Sequence, residues 1–163
     1  MWPFKERVSA SAMVRELVAD TEQERLFISQ SGFAVPDLQL LLLRHALLLL
    51  AVKFLPVSKF WEHAIGDSFA LFCAEYDPDN KLRLGLALYQ YPFNENPFDR
   101  ASFDRESKSV SRPIANAIEF FYALNSIHPD RLQILTHAVI AQGALISHAK
   151  FISDIEKTMK VVQ

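Results

Sequence analysis

Leu38–Leu55, LQLLLLRHALLLLAVKFL, is the stretch whose reading decides the fold. Ten of its residues are leucine, and only Gln39, Arg44, His45 and Lys53 interrupt the apolar run. At about 100° per residue, Gln39 and Lys53 fall on one side of a helical wheel and Arg44 and His45 on the other, so no polar face is left. A helix apolar all round must be covered all round, by protein or by lipid. The length is near the lower limit for a membrane span, and an arginine near its middle costs about 2.5–3.5 kcal/mol on insertion scales. Several other segments carry apolar stripes that need a soluble core, so the stretch reads as a buried central helix. Pro36-Asp37 opens it, and Pro56 closes it because the residue before a proline avoids the helical region.

Before this helix, the chain reads as one helix from about Phe4 or Ser9 onward. Val14, Leu17 and Val18 form its apolar stripe, continued by Leu26 and Phe27 beyond Asp20-Thr21. Glu16, Asp20, Glu22, Glu24 and Arg25 read as its solvated side. Gly32 suits the residue just past its end. After the central helix, Ser58 is an N-cap. Phe60/Trp61, Ala64/Ile65, Phe69, Phe72/Cys73 and Tyr76 then follow at helical spacing, which makes Cys73 a buried small residue rather than a nucleophile.

Lys81–Tyr91 alternates Leu82, Leu84, Leu86 and Leu88, the period of a strand, yet its Leu and Ala composition favours helix. Residues 92–113 form an irregular loop with a short direct repeat, FDRAS then FDRES. Ile114–Ile127 reads as a helix, and Pro129 suits the first turn of the next. That last helix extends to about Val161. Its apolar positions, from Ile134, Ala138 and Ala141 to Ile152, Ile155, Met159 and Val162, step by four and three as in a bundle seam. The expectation is all-α: a single domain over residues 1–163, a bundle of about six helices around a buried central helix. The alternative is α+β with a hairpin at 69–91.

The 163 residues suffice for a sizeable core, and the composition, half hydrophobic and 22% charged, is that of a globular chain. A net charge of −2 gives no global attraction to nucleic acid. The single Cys73 cannot close an intramolecular disulfide, and the opening MWPFKER lacks the apolar core of a secretory signal, so the expected location is cytoplasmic. Trp2 and Phe4, beside Lys5 and Arg7, suit a membrane surface, but tucking onto the bundle is the simpler reading.

No GxSxG, GxxxxGK[ST] or GxGxxG pattern is present, which points away from an enzyme. Nor is a metal centre indicated. His137 and His148 share a face but stand about 16 Å apart along the axis, His63 and Asp67 lack further ligands, and no Glu-x-x-His pair occurs. A haem or another flat apolar ligand against His45 or His148 is less economical than a histidine packed in the core, so no cofactor is expected.

Arg44 is more informative, because a buried guanidinium needs partners. Glu75, Glu119, Asp67 and Asp154 are the candidates. Arg44 and His45 therefore mark a possible internal polar or ligand site. In the loop, Phe98 and Phe103 beside Arg100 and Arg105 are the residue types that anchor interfaces. The functional expectation is a non-enzymatic helical interaction protein, an adaptor, inhibitor or regulator, with a protein partner and a homodimer through the C-terminal helix. The alternative is a carrier or sensor that holds an apolar ligand between helices.

Overall fold

The computed structural model describes residues 7–76, 95–103, 105, 107 and 109–162. Strand β1 (Arg7–Ser9) leads into α1 (Ala10–Ala19), α2 (Glu22–Gln30), α3 (Asp37–Lys53) and α4 (Lys59–Tyr76). After a short 3-10 turn at Arg100–Ser102 come α5 (Arg112–Leu124), α6 (Arg131–Thr158) and strand β2 (Lys160–Val162). The architecture is an all-α bundle. Phe69–Tyr76, the first arm of the alternative hairpin, is helical, which removes that hairpin as drawn; Lys81–Tyr91 lies outside the described residues.

The leucine-rich α3 is the central helix. It packs against α1, α4, α5 and α6 and is buried along nearly all of its length from Leu40 to Val52. Each leucine so buried contributes about 1.5–3 kcal/mol. Around it, α1 lies on α4, α2 on α6 and α5 on α6. The small residues Ala138 and Ala141 of α6 are fully buried, as the close approach of another helix requires.

Several boundaries differ from the sequence reading, the ends of α3 at Lys53 and of α5 at Leu124 among them. The first helix is two helices. The Thr21 N–H bonds back to the Ala19 carbonyl at 2.9 Å, and the Thr21 carbonyl accepts from Arg25 N–H to begin α2. Asp and Thr compete with the helical backbone for such bonds. Pro129 lies outside α6, whose N-cap is Asp130. The Asp130 carboxylate accepts from Gln133 N–H while the Gln133 side chain accepts from Asp130 N–H, a reciprocal capping box. Finally, α6 ends at Thr158, and Lys160–Val162 pairs in parallel with Arg7–Ser9, joining the two ends of the described chain.

The regular seam of α6 is used inside the chain. Ile152 and Ile155, expected at a dimer interface, are buried in the core, and Met159 packs against it. At this end of α6, Glu156 Oε1 accepts from Trp61 Nε1 at 2.7 Å and from Ser58 N–H at 3.1 Å, tying α6 to the start of α4. On α5, Ile114, Ala117, Ile118, Phe121 and Tyr122 are buried, whereas Leu124 is 39% exposed and Asn125 is the C-cap.

Gly32 takes the expected place beyond α2, at φ +76°. Its N–H bonds to the Ser29 carbonyl at 3.0 Å and Phe33 N–H to the Ile28 carbonyl at 3.1 Å, the paired bonds of a Schellman turn. Gly66, inside α4, has open space where a Cβ would stand. Gly32→Ala is therefore expected to cost about 1 kcal/mol through the left-handed conformation, lowering Tm by about 2–4 °C. Gly66→Ala should raise Tm instead through helix propensity. Thermal unfolding of the two variants checks the opposite signs.

Candidate functional site

The polar centre of the molecule is built on Arg44. Its position halfway along the buried α3 leaves the side chain 1% exposed, so its charge must be matched inside the protein. The match comes from Glu24 of α2, also 1% exposed, whose Oε2 accepts from Arg44 Nη2 at 2.7 Å. None of Glu75, Glu119, Asp67 and Asp154, the expected partners, is paired with Arg44. By its charge alone Glu24 reads as part of a solvated side. Its position carried the signal: it stands four residues before the buried Ile28 and shares that face of α2.

Two further helices complete the cluster. His137 of α6 brings Nε2 to 3.6 Å from Glu24 Oε1, and the Tyr122 hydroxyl of α5 lies 2.8 Å from His137 Nδ1. The rings of Phe27 and Phe121 lie against His137. Burial, helped by the Glu24 charge, raises the Tyr122 pKa, so the phenol keeps its proton, and its hydroxyl shares a hydrogen bond with His137 Nδ1. Burial alone would raise the Glu24 pKa, but His137 and the Arg44 charge outweigh it and hold the carboxyl below its ordinary range. Glu24 is thus ionised. At the edge, His148 Nε2 stands 3.5 Å from Asp20 Oδ2; burial and the Arg44 charge lower the His148 pKa against the pull of Asp20 and Glu24.

The cluster is not saturated. Arg44 Nε and Nη1, Glu24 Oε1 and the Nε2 atoms of His137 and His148 are buried without a hydrogen-bond partner. Arg44 and Glu24 line a pocket of about 200 Å³ between the α1–α2 junction and the Ile140–Ser147 stretch of α6.

His45, adjacent in sequence, points elsewhere. Its Nδ1 bonds the Leu41 carbonyl at 2.7 Å and its Nε2 the Ser68 hydroxyl at 3.2 Å, with the rings of Phe69 and Phe72 against it. It is a satisfied core histidine whose pKa is lowered by burial against the Leu41 bond. A wider groove of about 450 Å³ runs past Phe33 and Val35 toward Leu40, open to solvent and away from His45.

Phe98 is half-buried against the core, Phe103 is half-buried and bridges Ser111, and Arg100 and Arg105 are exposed. Gln142 of α6 pins the end of this loop, accepting from Ser111 N–H at 2.6 Å and donating to the Ser109 carbonyl at 2.8 Å. Among the described residues no three His, Cys, Asp or Glu side chains converge as a metal centre requires, and no helix is long and apolar enough to cross a membrane. Compared with protein-family models, curated proteins and solved structures, the chain matches none.

Two predictions follow from these charges. Glu24→Leu leaves Arg44 buried and unmatched and should cost about 3–5 kcal/mol. Adding Arg44→Met removes the stranded charge and should recover most of that loss. Urea unfolding of the single and double variants measures the difference, and a double variant less stable than Glu24→Leu would contradict it.

His45 and His148 are neutral in the fold and take up protons first in the unfolded chain. Stability is therefore complete above about pH 6.5, the ordinary histidine pKa, and falls as pH drops below it. His45→Leu should flatten part of the fall in Tm between pH 7.5 and 5.5; an equal fall in the variant would mean that His45 is not a source of it.

Proposed function

We propose that this chain is a non-enzymatic helical interaction protein, an adaptor, inhibitor or regulator, that docks through the outer face of α6, and that the occupant of that face is a second copy of the chain. A single buried cysteine suits work in the cytoplasm. The observation that carries the reading is a stripe of exposed apolar residues. Leu132, Val139 and Ile146 are 73%, 48% and 49% exposed and recur every seven residues on the side of α6 opposite its buried seam. They span about 21 Å of helix.

The spacing is symmetric about Val139. In an antiparallel two-fold pair centred there, Leu132 of each copy meets Ile146 of the other and the two Val139 side chains meet on the axis, the self-complementarity that a two-fold contact needs. Gly143 lies on the same side with open space at its Cβ position, which lets a second helix approach. The alternative carrier of an apolar ligand has less support, since His45 is enclosed by aromatic rings rather than by a chamber.

Sedimentation equilibrium tests the reading. The unmodified chain should be a dimer at micromolar concentration. Val139→Glu sets two like charges on the axis and should weaken association at least about 100-fold while leaving the helical circular-dichroism spectrum unchanged. A monomeric unmodified chain, or a dimer indifferent to Val139→Glu, would overturn it.

A further inference from the structure

We propose that one end of the bundle, formed by the α3–α4 turn, the last turn of α6 and the β1–β2 pair, docks peripherally on an anionic lipid surface. Three connections gather this end. Residues 54–58 join α3 to α4. Glu156, near the end of α6, accepts from Ser58 N–H and Trp61 Nε1 at the start of α4. Just beyond α6, β2 pairs with β1, which leads directly into α1. Arg7, Lys53, Lys59, Lys157 and Lys160 are all exposed here. The Glu156 carboxylate among them is turned toward Ser58 and Trp61, and Glu62 and Asp154 come next along α4 and α6. This end is therefore positive, although the whole chain carries −2.

The fold by itself accounts for Lys53 and Lys157. They stand in the last turns of α3 and α6, where the helix dipole favours a cation. It does not account for the other three. Lys59 opens α4, where the same dipole opposes a positive charge. Arg7 and Lys160 are register partners on neighbouring strands, so two like charges are held side by side. Charges placed at a cost to the fold point to a negatively charged partner.

The chemistry of the turn selects a bilayer over a soluble polyanion. Between Lys53 and Lys59 the chain reads Phe54-Leu55-Pro56-Val57-Ser58, and Phe60 follows, 43% exposed. Pro56 is exposed, and Phe54, Leu55 and Val57 are half-buried. Lys53 Nζ stands 5.4 Å from the centre of the Phe54 ring. Apolar groups set among lysines suit the boundary between headgroups and acyl chains: the apolar side chains enter it and the ammonium groups stay beside the phosphates. A soluble polyanion would answer the charges and leave Phe60 in water.

This surface is separate from the docking stripe. Lys157 lies 18 residues after Val139, about 27 Å along the α6 axis. In the antiparallel pair the two basic ends face opposite directions, so each meets a membrane as a single chain would.

Vesicle co-sedimentation of the full chain tests the proposal, with phosphatidylcholine vesicles carrying about 30% phosphatidylserine set against phosphatidylcholine alone. Each basic residue near the surface strengthens binding about fivefold, so the anionic vesicles should bind at least about 100-fold more tightly. That difference should collapse as ionic strength rises from about 0.1 to 1 M. The double variant Lys59→Glu, Lys160→Glu should fold, because it sets a carboxylate at the start of α4 and another beside Arg7. It should bind the anionic vesicles at least about 100-fold more weakly. Phe60→Ser, at an exposed position, should weaken vesicle binding about tenfold. Val139→Glu, which addresses the docking face, should bind vesicles as the unmodified chain does, so the two proposals fail separately. The inference is overturned if anionic vesicles bind no better than neutral ones, if the double variant or Phe60→Ser binds them as well as the unmodified chain, or if polyglutamate or duplex DNA is bound more tightly than the anionic vesicles.

Discussion

The buried ion pair between Glu24 and Arg44 is the constraint on which much of the remaining structure depends. A helix as apolar as α3 could be covered by apolar neighbours alone, except that one of its central residues carries a permanent positive charge. That charge cannot be left dry without a partner, and the nearest carboxylate in space comes from a different helix, 20 residues earlier in the chain. The break at Asp20–Thr21 makes α2 a separate helix that lies on α6 with Glu24 on its buried side.

Tyr122 and His137 extend the pair across α5 and α6. The tyrosine keeps its proton because burial and the Glu24 charge both oppose its loss, its hydroxyl shares a hydrogen bond with His137 Nδ1, and His137 Nε2 stands 3.6 Å from the carboxylate. In a low-dielectric interior such a chain specifies one arrangement of helices more sharply than leucine packing does, since a shifted helix would strand a charge rather than only open a gap. The cluster stops short of saturation at Arg44, whose Nε and Nη1 are buried without a hydrogen-bond partner.

A second set of ties works at the periphery and runs through α6. Gln142 holds the backbone of Ser109 and Ser111, Glu156 holds Trp61 and the start of α4, and β2 holds β1. All three reach groups far away in the chain, so α6 and β2 join the first described residues, the loop before α5 and the start of α4 in one packing arrangement. This accounts for the regular inner seam of α6 without a second molecule, and it leaves the opposite stripe, Leu132 to Ile146, as the part of this helix facing outward.

By itself the sequence determined the all-α class, the central place of α3, the inward seam of α6, the burial of Cys73 and the turn at Gly32. These follow from periodicity, proline placement and backbone conformation, which are properties of consecutive residues. The tertiary structure alone decided which carboxylate answers Arg44, that Arg44 and His45 belong to separate environments, that Phe98 turns toward the core and that the two chain ends pair as strands. The physical reason is common to all of them. A charge, a hydrogen-bond donor or a strand edge states in the sequence that it needs a partner, but several groups can satisfy it equally well, and only the packing of the helices chooses among them.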